Sequence, residues 1–204
     1  MATKKRPTSG LKATILMLVM VALVVGYFLH LRNKGIKANE NAALEESAQE
    51  SLTYVQELIA RAPYKEYPST PVQVLKYYNE ITACFYNEKD YSNEELEGLA
   101  HLAQGLYDTE LIANQTWDSY IAGLKNDIQT FKEGNITIYK SEVTPSTDVV
   151  YFTHNGYECA KLYCMYTLKS GTVYQSSREV FIMRKDSENH WKIYGFQLVD
   201  QIEK

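Results

Sequence analysis

Hydrophobic residues follow three patterns along the chain: first a continuous run, then helical spacing, and finally strand-like alternation. The run Ala13–Leu29 contains no charged residue. As a helix rising about 1.5 Å per residue it would measure roughly 26 Å, close to the thickness of a bilayer's hydrocarbon core. Lys12 and His30–Leu31 can extend it, because long side chains reach the membrane interface. The run therefore predicts a transmembrane helix over residues 13–31.

The residues around this run indicate a signal anchor that is retained. Lys4–Arg6 precede the run as they would in a secretory signal, but neither an A-x-A-type cleavage site nor a cysteine follows it. Basic residues are slightly more numerous before the run than after it, which favours a cytoplasmic N-terminus. We therefore expect a basic cytoplasmic tail at residues 1–12, a single pass through the cell membrane and an extracytoplasmic C-terminal domain.

Residues 32–69 are expected to form a juxtamembrane helix followed by a linker. Apolar residues with 4-3-4-3 spacing share one face of the predicted helix: Ala48, Leu52, Val55, Ile59 and Ala62. This stripe could dock on the following domain or pair with itself as a coiled coil. Its two alanines would make a weak coiled-coil seam, so docking or a loose stalk is favoured. Pro63 ends the helix, and Pro68 and Pro71 exclude a helix throughout the linker.

Three amphipathic helices are predicted at the start of the domain that spans residues 70–204. Each has a recognisable N-terminal signal: Thr70-Pro71, the capping box Ser92–Glu95, and Thr116. Asp108 can cap one short turn before the third helix, and Gly134 is expected to end that helix. The apolar faces recur at intervals of three and four residues: Val74, Tyr78, Ile81 and Phe85; Leu96, Leu99, Ala103 and Leu106; Ile121, Leu124, Ile128 and Phe131.

After Gly134 the period changes to alternation, which is typical of strands. Five strands are predicted: Ile136–Val143, Val149–Thr153, Tyr157–Leu168, Thr172–Lys185 and His190–Asp200. Asn155-Gly156 and Ser170-Gly171 predict tight hairpin turns between them. The expected fold class is α+β, with an N-terminal transmembrane helix followed by helices packed on one face of a curved antiparallel meander of about five strands.

The last two strands carry a family resemblance. Arg178–Arg184 reads REVFIMR and His190–Gln197 reads HWKIYGFQ, and with the preceding helices they resemble the nuclear-transport-factor-2-like, or cystatin-like, superfamily. The resemblance implies a cone in which a bent sheet wraps around helices, with an open mouth where enzymatic members place Asp, Tyr, His or Arg. Members often have a short strand before the third helix, which residues 107–115 do not clearly supply. Anchor and domain together resemble uncharacterised membrane proteins of Gram-positive anaerobes.

Charge divides the chain into two parts. Residues 1–37 contain seven Lys or Arg and no Asp or Glu, so the other 14 basic residues face all 25 acidic ones. The remainder of the chain therefore has a net charge of −11, and its sequence contains no basic stripe. A nucleic-acid partner is not expected for such a domain.

The three cysteines are interpreted as buried free thiols. Cys159 and Cys164 lie five residues apart in one predicted strand, so their side chains point to opposite faces and cannot bond to each other. A bond from Cys84 to either of them is geometrically open but has no support in the sequence. Buried thiols behave as small hydrophobic groups.

Candidate chemistry is limited to polar residues that could line the mouth of a cone: Tyr86, Asp90, Tyr163, Tyr166, Arg178 and Tyr194. No catalytic motif of the family maps onto these positions. The zinc-protease, nucleophile-elbow, phosphate-loop and C-x-x-C motifs are absent from the sequence. The histidines of the domain are scattered along it, so no metal and no cofactor are expected.

These observations lead to three hypotheses about function. The favoured one is a membrane-anchored extracytoplasmic binding or interaction module without catalytic activity. Its expected partners are the lipid bilayer, through residues 13–31, and other membrane or cell-envelope proteins. The alternatives are a scaffold subunit of a secretion or conjugation complex, and a small-molecule pocket enzyme of the isomerase or dehydratase type.

Overall fold

Helices precede a five-stranded antiparallel sheet in the computed structural model, which describes residues 52–61 and 67–199. The helices are α1 (Tyr54–Ala60), α2 (Pro71–Asn87), α3 (Asn93–Gly105), α4 (Thr109–Ile112) and α5 (Trp117–Gly134). The strands are β1 (Ile136–Val143), β2 (Val150–His154), β3 (Tyr157–Ser170), β4 (Val173–Lys185) and β5 (Trp191–Leu198). A 3-10 turn, Ser146–Asp148, connects β1 to β2. This part of the chain is an α+β domain.

The predicted N-terminal signals of the helices are confirmed. Thr70 accepts a hydrogen bond from the backbone N–H of Gln73, and Pro71 occupies the first turn of α2. Ser92 and Glu95 form the reciprocal capping box of α3. Asp108 caps α4 and Thr116 caps α5. Each cap satisfies a backbone donor that would otherwise have no partner in the first helical turn.

The predicted role of Gly134 needs a correction. Gly134 is the last residue of α5, and Asn135 adopts the left-handed conformation after it, with φ 49°. Asn is one of the few residues other than Gly that tolerate this conformation. A Cβ atom at Gly134 would lie 2.7 Å from Ile136 Cδ1, so close packing rather than a positive φ explains this glycine.

The sheet is not the simple meander that was predicted. Its order is β1-β3-β4-β5, and β2 also pairs with β3. β1 pairs with the second half of β3, from Cys164 to Ser170, whereas β2 pairs with the first half, from Tyr157 to Lys161. Since β4 occupies the other edge of β3, β1 and β2 lie end to end along one edge.

The helices α2 and α5 pack on one face of the sheet, and α3 packs against α1 and α2. The predicted inward residues of β3 are buried: Ala160, Leu162, Cys164, Tyr166 and Leu168. Phe181 and Met183 of β4 and Ile193 of β5 are fully buried beside them. All three cysteines are buried and free, as predicted.

Helix α1 is part of this core. Val55 and Leu58 are buried in the main hydrophobic cluster, whereas Leu52 is exposed. Gln56 also donates a hydrogen bond of 2.8 Å to Glu95, at the start of α3. Val55 and Ile59 of the predicted stripe therefore dock on the domain, together with Leu58, which the stripe did not include, whereas Leu52 does not. Ala48 and Ala62 lie outside the described residues.

The expected fold class also included an N-terminal transmembrane helix, and this element requires a correction. Among residues 52–61 and 67–199, no helix combines the length and the apolar character needed to cross a bilayer. The described fold is therefore α+β without such an element. Residues 1–51, which include the predicted tail and span, lie outside the described residues, as do residues 62–66 and 200–204.

Candidate functional site

One face of the sheet carries none of the described helices, and we call it the outer face. It is formed by the outward positions of the strands, such as Tyr139, Tyr163, Met165, Lys169 and Arg178. In the described chain, six of the ten strongly exposed large hydrophobic residues belong to this face: Tyr139, Val150, Phe152, Tyr157, Met165 and Tyr174. Concentrated apolar exposure of this kind marks interaction surfaces more often than scattered single residues do.

Aromatic rings and basic side chains alternate at the end of the outer face nearest the β3–β4 turn. Tyr139 stands at a bulge of β1, between Ile138 and Lys140, and its ring lies 5.1 Å from that of Tyr174. Lys169 Nζ lies 5.9 Å and 5.8 Å from the centroids of these two rings. A bulge redirects side chains locally, which explains how Tyr139 reaches across the face.

A second aromatic–basic pair lies further along the same face. The guanidinium carbon of Arg178 is 4.0 Å from the centroid of the Tyr163 ring. Arg178 is opposite Met165 in the register of β3 and β4, and Met165 is itself exposed. Arg178 makes no ion pair with any described residue, so its charge is available to a partner.

Charge is distributed unequally between the helices and the outer face. The described helices contain nine acidic and three basic residues. The outward positions of the strands carry Lys140, Lys161, Lys169 and Arg178, besides Arg184. Among the outward strand positions described, Glu142 is the acidic residue, and it pairs with Lys140 at 2.8 Å. The fold thus collects basic residues on one surface of an acidic domain, although they are spread out in the sequence.

Arg184 closes the other end of the outer face. Its Nε and Nη2 donate hydrogen bonds of 2.8 Å and 2.6 Å to the two carboxylate oxygens of Asp108, and its Nη1 donates one of 2.9 Å to Glu110. The rings of Tyr157 and Tyr194 flank the guanidinium, each with its centroid 4.5 Å away. This clamp ties α4 to β4, and its donors are already used within the protein.

A small cavity of about 120 Å³ lies beside this clamp. Phe152, Cys159 and Ile182 form its apolar walls, and His154 and Glu110 also line it. Burial raises the pKa of the Cys159 thiol, so the thiol is mostly protonated at neutral pH. The cavity therefore offers no reactive thiolate.

The covered face of the sheet contains a cluster of buried tyrosines. Tyr166 donates a hydrogen bond of 2.6 Å to Asn79 Oδ1, and Asn79 Nδ2 donates to Cys164 Sγ at 3.3 Å. Tyr107 donates a longer bond of 3.4 Å to Tyr78. Burial raises the pKa of Tyr78 to about 12, so its phenol stays neutral. These side chains fill the interior between α2 and the sheet.

Glu179 is an unpaired carboxylic acid beside this cluster. It lies on the covered side of β4, opposite Cys164, and burial raises its pKa to about 7. The residue keeps some exposure, but within the described chain its carboxyl group has no hydrogen bond or ion pair. Glu179 in turn contributes to the raised pKa values of Tyr78, Tyr86 and Tyr166, for which burial is the larger cause.

The structure places the six sequence-predicted site residues in three regions. Tyr86 and Tyr166 lie on the covered side of the sheet, and Tyr86 stacks on Phe131 at 4.1 Å. Asp90 is exposed in the loop after α2. The outer face holds the others: Tyr163, Arg178 and Tyr194. The structure thus brings Tyr163 and Arg178 into contact but does not gather all six around one pocket.

Sequence reasoning missed Glu179 and the exposed pair Tyr139 and Tyr174. The signal for Glu179 was available, because it shares the parity of Phe181 and Met183 on β4 and therefore faces inward. Tyr139 gave no comparable signal, since its direction depends on a bulge. In the described residues, no three His, Cys, Asp or Glu side chains are grouped as metal ligands.

Comparison with known families places the chain in one of them. A family profile described as a domain of unknown function, DUF6715, matches residues 1–196. The chain belongs to the DUF6715 family. No curated protein matches the sequence. The DUF6715 match includes all five strands almost to the end of β5, together with the segment that precedes α1. The family description names no activity, so inferences about function depend on the surfaces described above.

Proposed function

We propose that this domain is a binding module without catalytic activity that holds a protein partner on the outer face of its sheet. The observation that carries the proposal is the outer face itself, where exposed aromatic residues alternate with Lys169 and Arg178 and none of the described helices covers them. Tyrosine and arginine are enriched in protein–protein interfaces, because they combine apolar contact area with hydrogen bonding.

Charge supports a partner that presents carboxylates beside apolar groups. Arg178 and Lys169 are held over aromatic rings and have no acidic partner among the described residues. A carboxylate on the partner would form ion pairs with these two side chains. The exposed rings would at the same time be buried against the partner's apolar groups. Complementary charge of this kind speeds association and fixes orientation.

The location at the outside of a cell membrane belongs to the same proposal. It rests on the uncharged run Ala13–Leu29 and on the acidic character of the rest of the chain. Kinship with the nuclear-transport-factor-2-like superfamily is likewise proposed, and helices that precede a sheet and cover one face of it support this kinship. A subunit of a secretion or conjugation complex would use the same surface, with a component of that complex as its partner.

Charge reversal tests the outer face. We compare Lys169→Glu/Arg178→Glu with Lys76→Glu/Lys125→Glu, which changes the net charge equally on exposed positions of α2 and α5. Full-length proteins are cross-linked in native membranes, gently solubilised and recovered by an affinity tag. We expect the same cross-linked protein with the wild type and the helix variant, and at least a tenfold loss, about 1.4 kcal/mol, with the outer-face variant.

Two results would contradict the proposal. In the first, both variants recover the partner as well as the wild type does. In the second, the wild-type protein is recovered alone after cross-linking.

A further inference from the structure

We propose that two copies of this chain pair through the free edge of β2, Val150–His154, and form a symmetric dimer. The pairing surface is the backbone edge of one strand, so it is separate from the function proposed for the outer face. β1 lies end to end with β2 along β3 and therefore leaves this edge uncovered. All five residues of β2 are exposed, and three of them are large and apolar: Val150, Tyr151 and Phe152.

Two residues of β2 direct their backbone groups away from β3. The two-residue turn Asn155-Gly156 joins the strands, so His154 and Tyr157 form the hydrogen-bonded pair beside the turn. Hydrogen-bonded pairs alternate with non-hydrogen-bonded pairs along an antiparallel ladder. The N–H and C=O groups of Tyr151 and Thr153 therefore point outward, and none of these four groups bonds to the described chain. An added strand would satisfy all four.

Other edge positions of the sheet are protected in ways that β2 is not. At the start of β1, the Asn87 side chain accepts a hydrogen bond of 2.8 Å from the N–H of Ile138 and donates one of 2.9 Å to its C=O. On β5, the N–H of Ile193 donates to Leu106 at 2.8 Å, and its C=O accepts from Asp108 at 2.9 Å. β1 also carries a bulge and charged side chains. Such features prevent edge-to-edge pairing, and β2 has none of them among the described residues.

The edge of β2 is complementary to a second copy of itself. In an antiparallel pair with a two-fold axis at Phe152, Tyr151 of each copy lies opposite Thr153 of the other. The four outward groups of one copy then bond to the four of its partner. Phe152 faces its own equivalent on the outer side, where apolar aromatic pairs stabilise neighbouring strands. One register therefore satisfies every free backbone group of the edge, as a symmetric interface requires.

Charge supports a second copy as the occupant. β2 contains no lysine, arginine, aspartate or glutamate, so two copies meet without like charges opposite each other. The exposed Asp148 lies just before the strand, and His154 ends it. Antiparallel pairing brings the carboxylate of each copy near the imidazole of the other, once at each end of the interface. An unrelated extended peptide could use the same backbone groups but would lack this reciprocal match.

Charge complementation at Phe152 tests the two-fold register. We compare the full-length wild type, Phe152→Lys, Phe152→Glu and an equimolar mixture of the two variants by sedimentation velocity in detergent. The wild type should dimerise as its concentration rises. Each variant alone should dimerise about tenfold more weakly, because identical charges then lie opposite each other. The mixture should regain dimers, which also shows that both variants are folded. Val173→Lys, at a strand position with the same 39% exposure as Phe152, is the matched control and should dimerise like the wild type.

Disulfide formation in native membranes tests the pairing of Tyr151 with Thr153. Full-length Tyr151→Cys and Thr153→Cys, with different tags, are expressed together and oxidised; the three native cysteines are buried. In the proposed register the two Cα atoms lie about 5.5 Å apart, within the range that a disulfide spans. We expect linked dimers that contain both variants. About fivefold fewer should form when either variant is expressed with itself under two tags, because identical positions are more distant diagonal neighbours.

The proposal is overturned if the wild type stays monomeric at all concentrations, if the mixture of charged variants does not regain dimers, or if all cysteine combinations link equally. Linkage of Tyr151→Cys to a different protein, without dimers of this chain, would also overturn it and would indicate an extended peptide as the occupant. None of these results removes the proposed outer-face function, because Lys169 and Arg178 are not changed.

Discussion

Glu179 makes folding stability depend on pH in a direction unusual for a carboxylic acid. Burial raises its pKa from the ordinary value of 4.5 to about 7, so between these values the folded chain binds a proton that the unfolded chain releases. The stability from this group is complete below the lower value and is lost as the pH rises through the higher one.

Glu179→Gln should remove the loss of folding stability that ionisation of Glu179 causes as the pH rises. Relative to the wild type, we expect the variant to gain about 1–3 kcal/mol in the free energy of unfolding between pH 5 and pH 8, because the amide is never charged. Urea unfolding at a series of pH values measures this gain. Glu97→Gln, at an exposed position of α3, should show no such gain. The prediction is contradicted if the difference in the free energy of unfolding between Glu179→Gln and the wild type does not change with pH.

At the scale of residues, burial was predictable wherever the alternation was regular. The parity of Ala160 to Leu168 gave the covered face of β3 correctly, and the same rule applied to β4 gives Glu179. The direction of Tyr139 was not predictable, because its bulge depends on the pairing of β1 with β3. The pairing of Tyr163 with Arg178 likewise depends on the register between two strands.

At the scale of elements, the helices were predictable and the sheet order was not. Helix caps are local, so Thr70, Ser92 and Thr116 could be read from a few neighbouring residues. The order of strands depends on contacts far apart in the sequence. β1 and β2 share one edge of β3 because β3 is 14 residues long, which leaves room for both.

The clamp between Asp108 and Arg184 holds α4 against β4. Side chains of both residues are largely buried, with 4% and 12% exposure, so removing either one leaves a buried charge without its partner. We expect Asp108→Asn and Arg184→Met each to cost about 3–5 kcal/mol of folding stability. The double variant should cost at least 1 kcal/mol less than the sum of the two, because neither charge then remains.

Denaturant unfolding of the four proteins in this cycle measures the coupling. Glu110→Gln is the control: the Glu110 side chain is 62% exposed although it also contacts Arg184, so its loss should cost less than about 1 kcal/mol. Additive effects of Asp108→Asn and Arg184→Met would show that the two charges do not act as a pair.

At the scale of the whole molecule, the domain has two chemically different sides. The helices give it an acidic side, and the outer face gives it a basic and aromatic one, although the net charge of the chain is only −4. This separation arises because strand alternation sends Lys161 and Lys169 of β3 and Arg178 of β4 outward on the same face. The sequence alone suggested a uniformly acidic domain, because residues that share a sheet face are distant along the chain.

The N-terminal extent of the domain follows from how α1 is packed. Leu58 is completely buried among the core residues, whereas Leu52, six residues earlier, is 56% exposed. If α1 belongs to the cooperative fold, Leu58→Ala should lower the free energy of unfolding by about 2–5 kcal/mol, because a cavity is left in the core. Leu52→Ala removes the same atoms from an exposed position and should change stability by less than about 0.5 kcal/mol. If thermal and chemical unfolding gave equal, small effects for the two variants, α1 would be a separately moving segment rather than the first element of the domain.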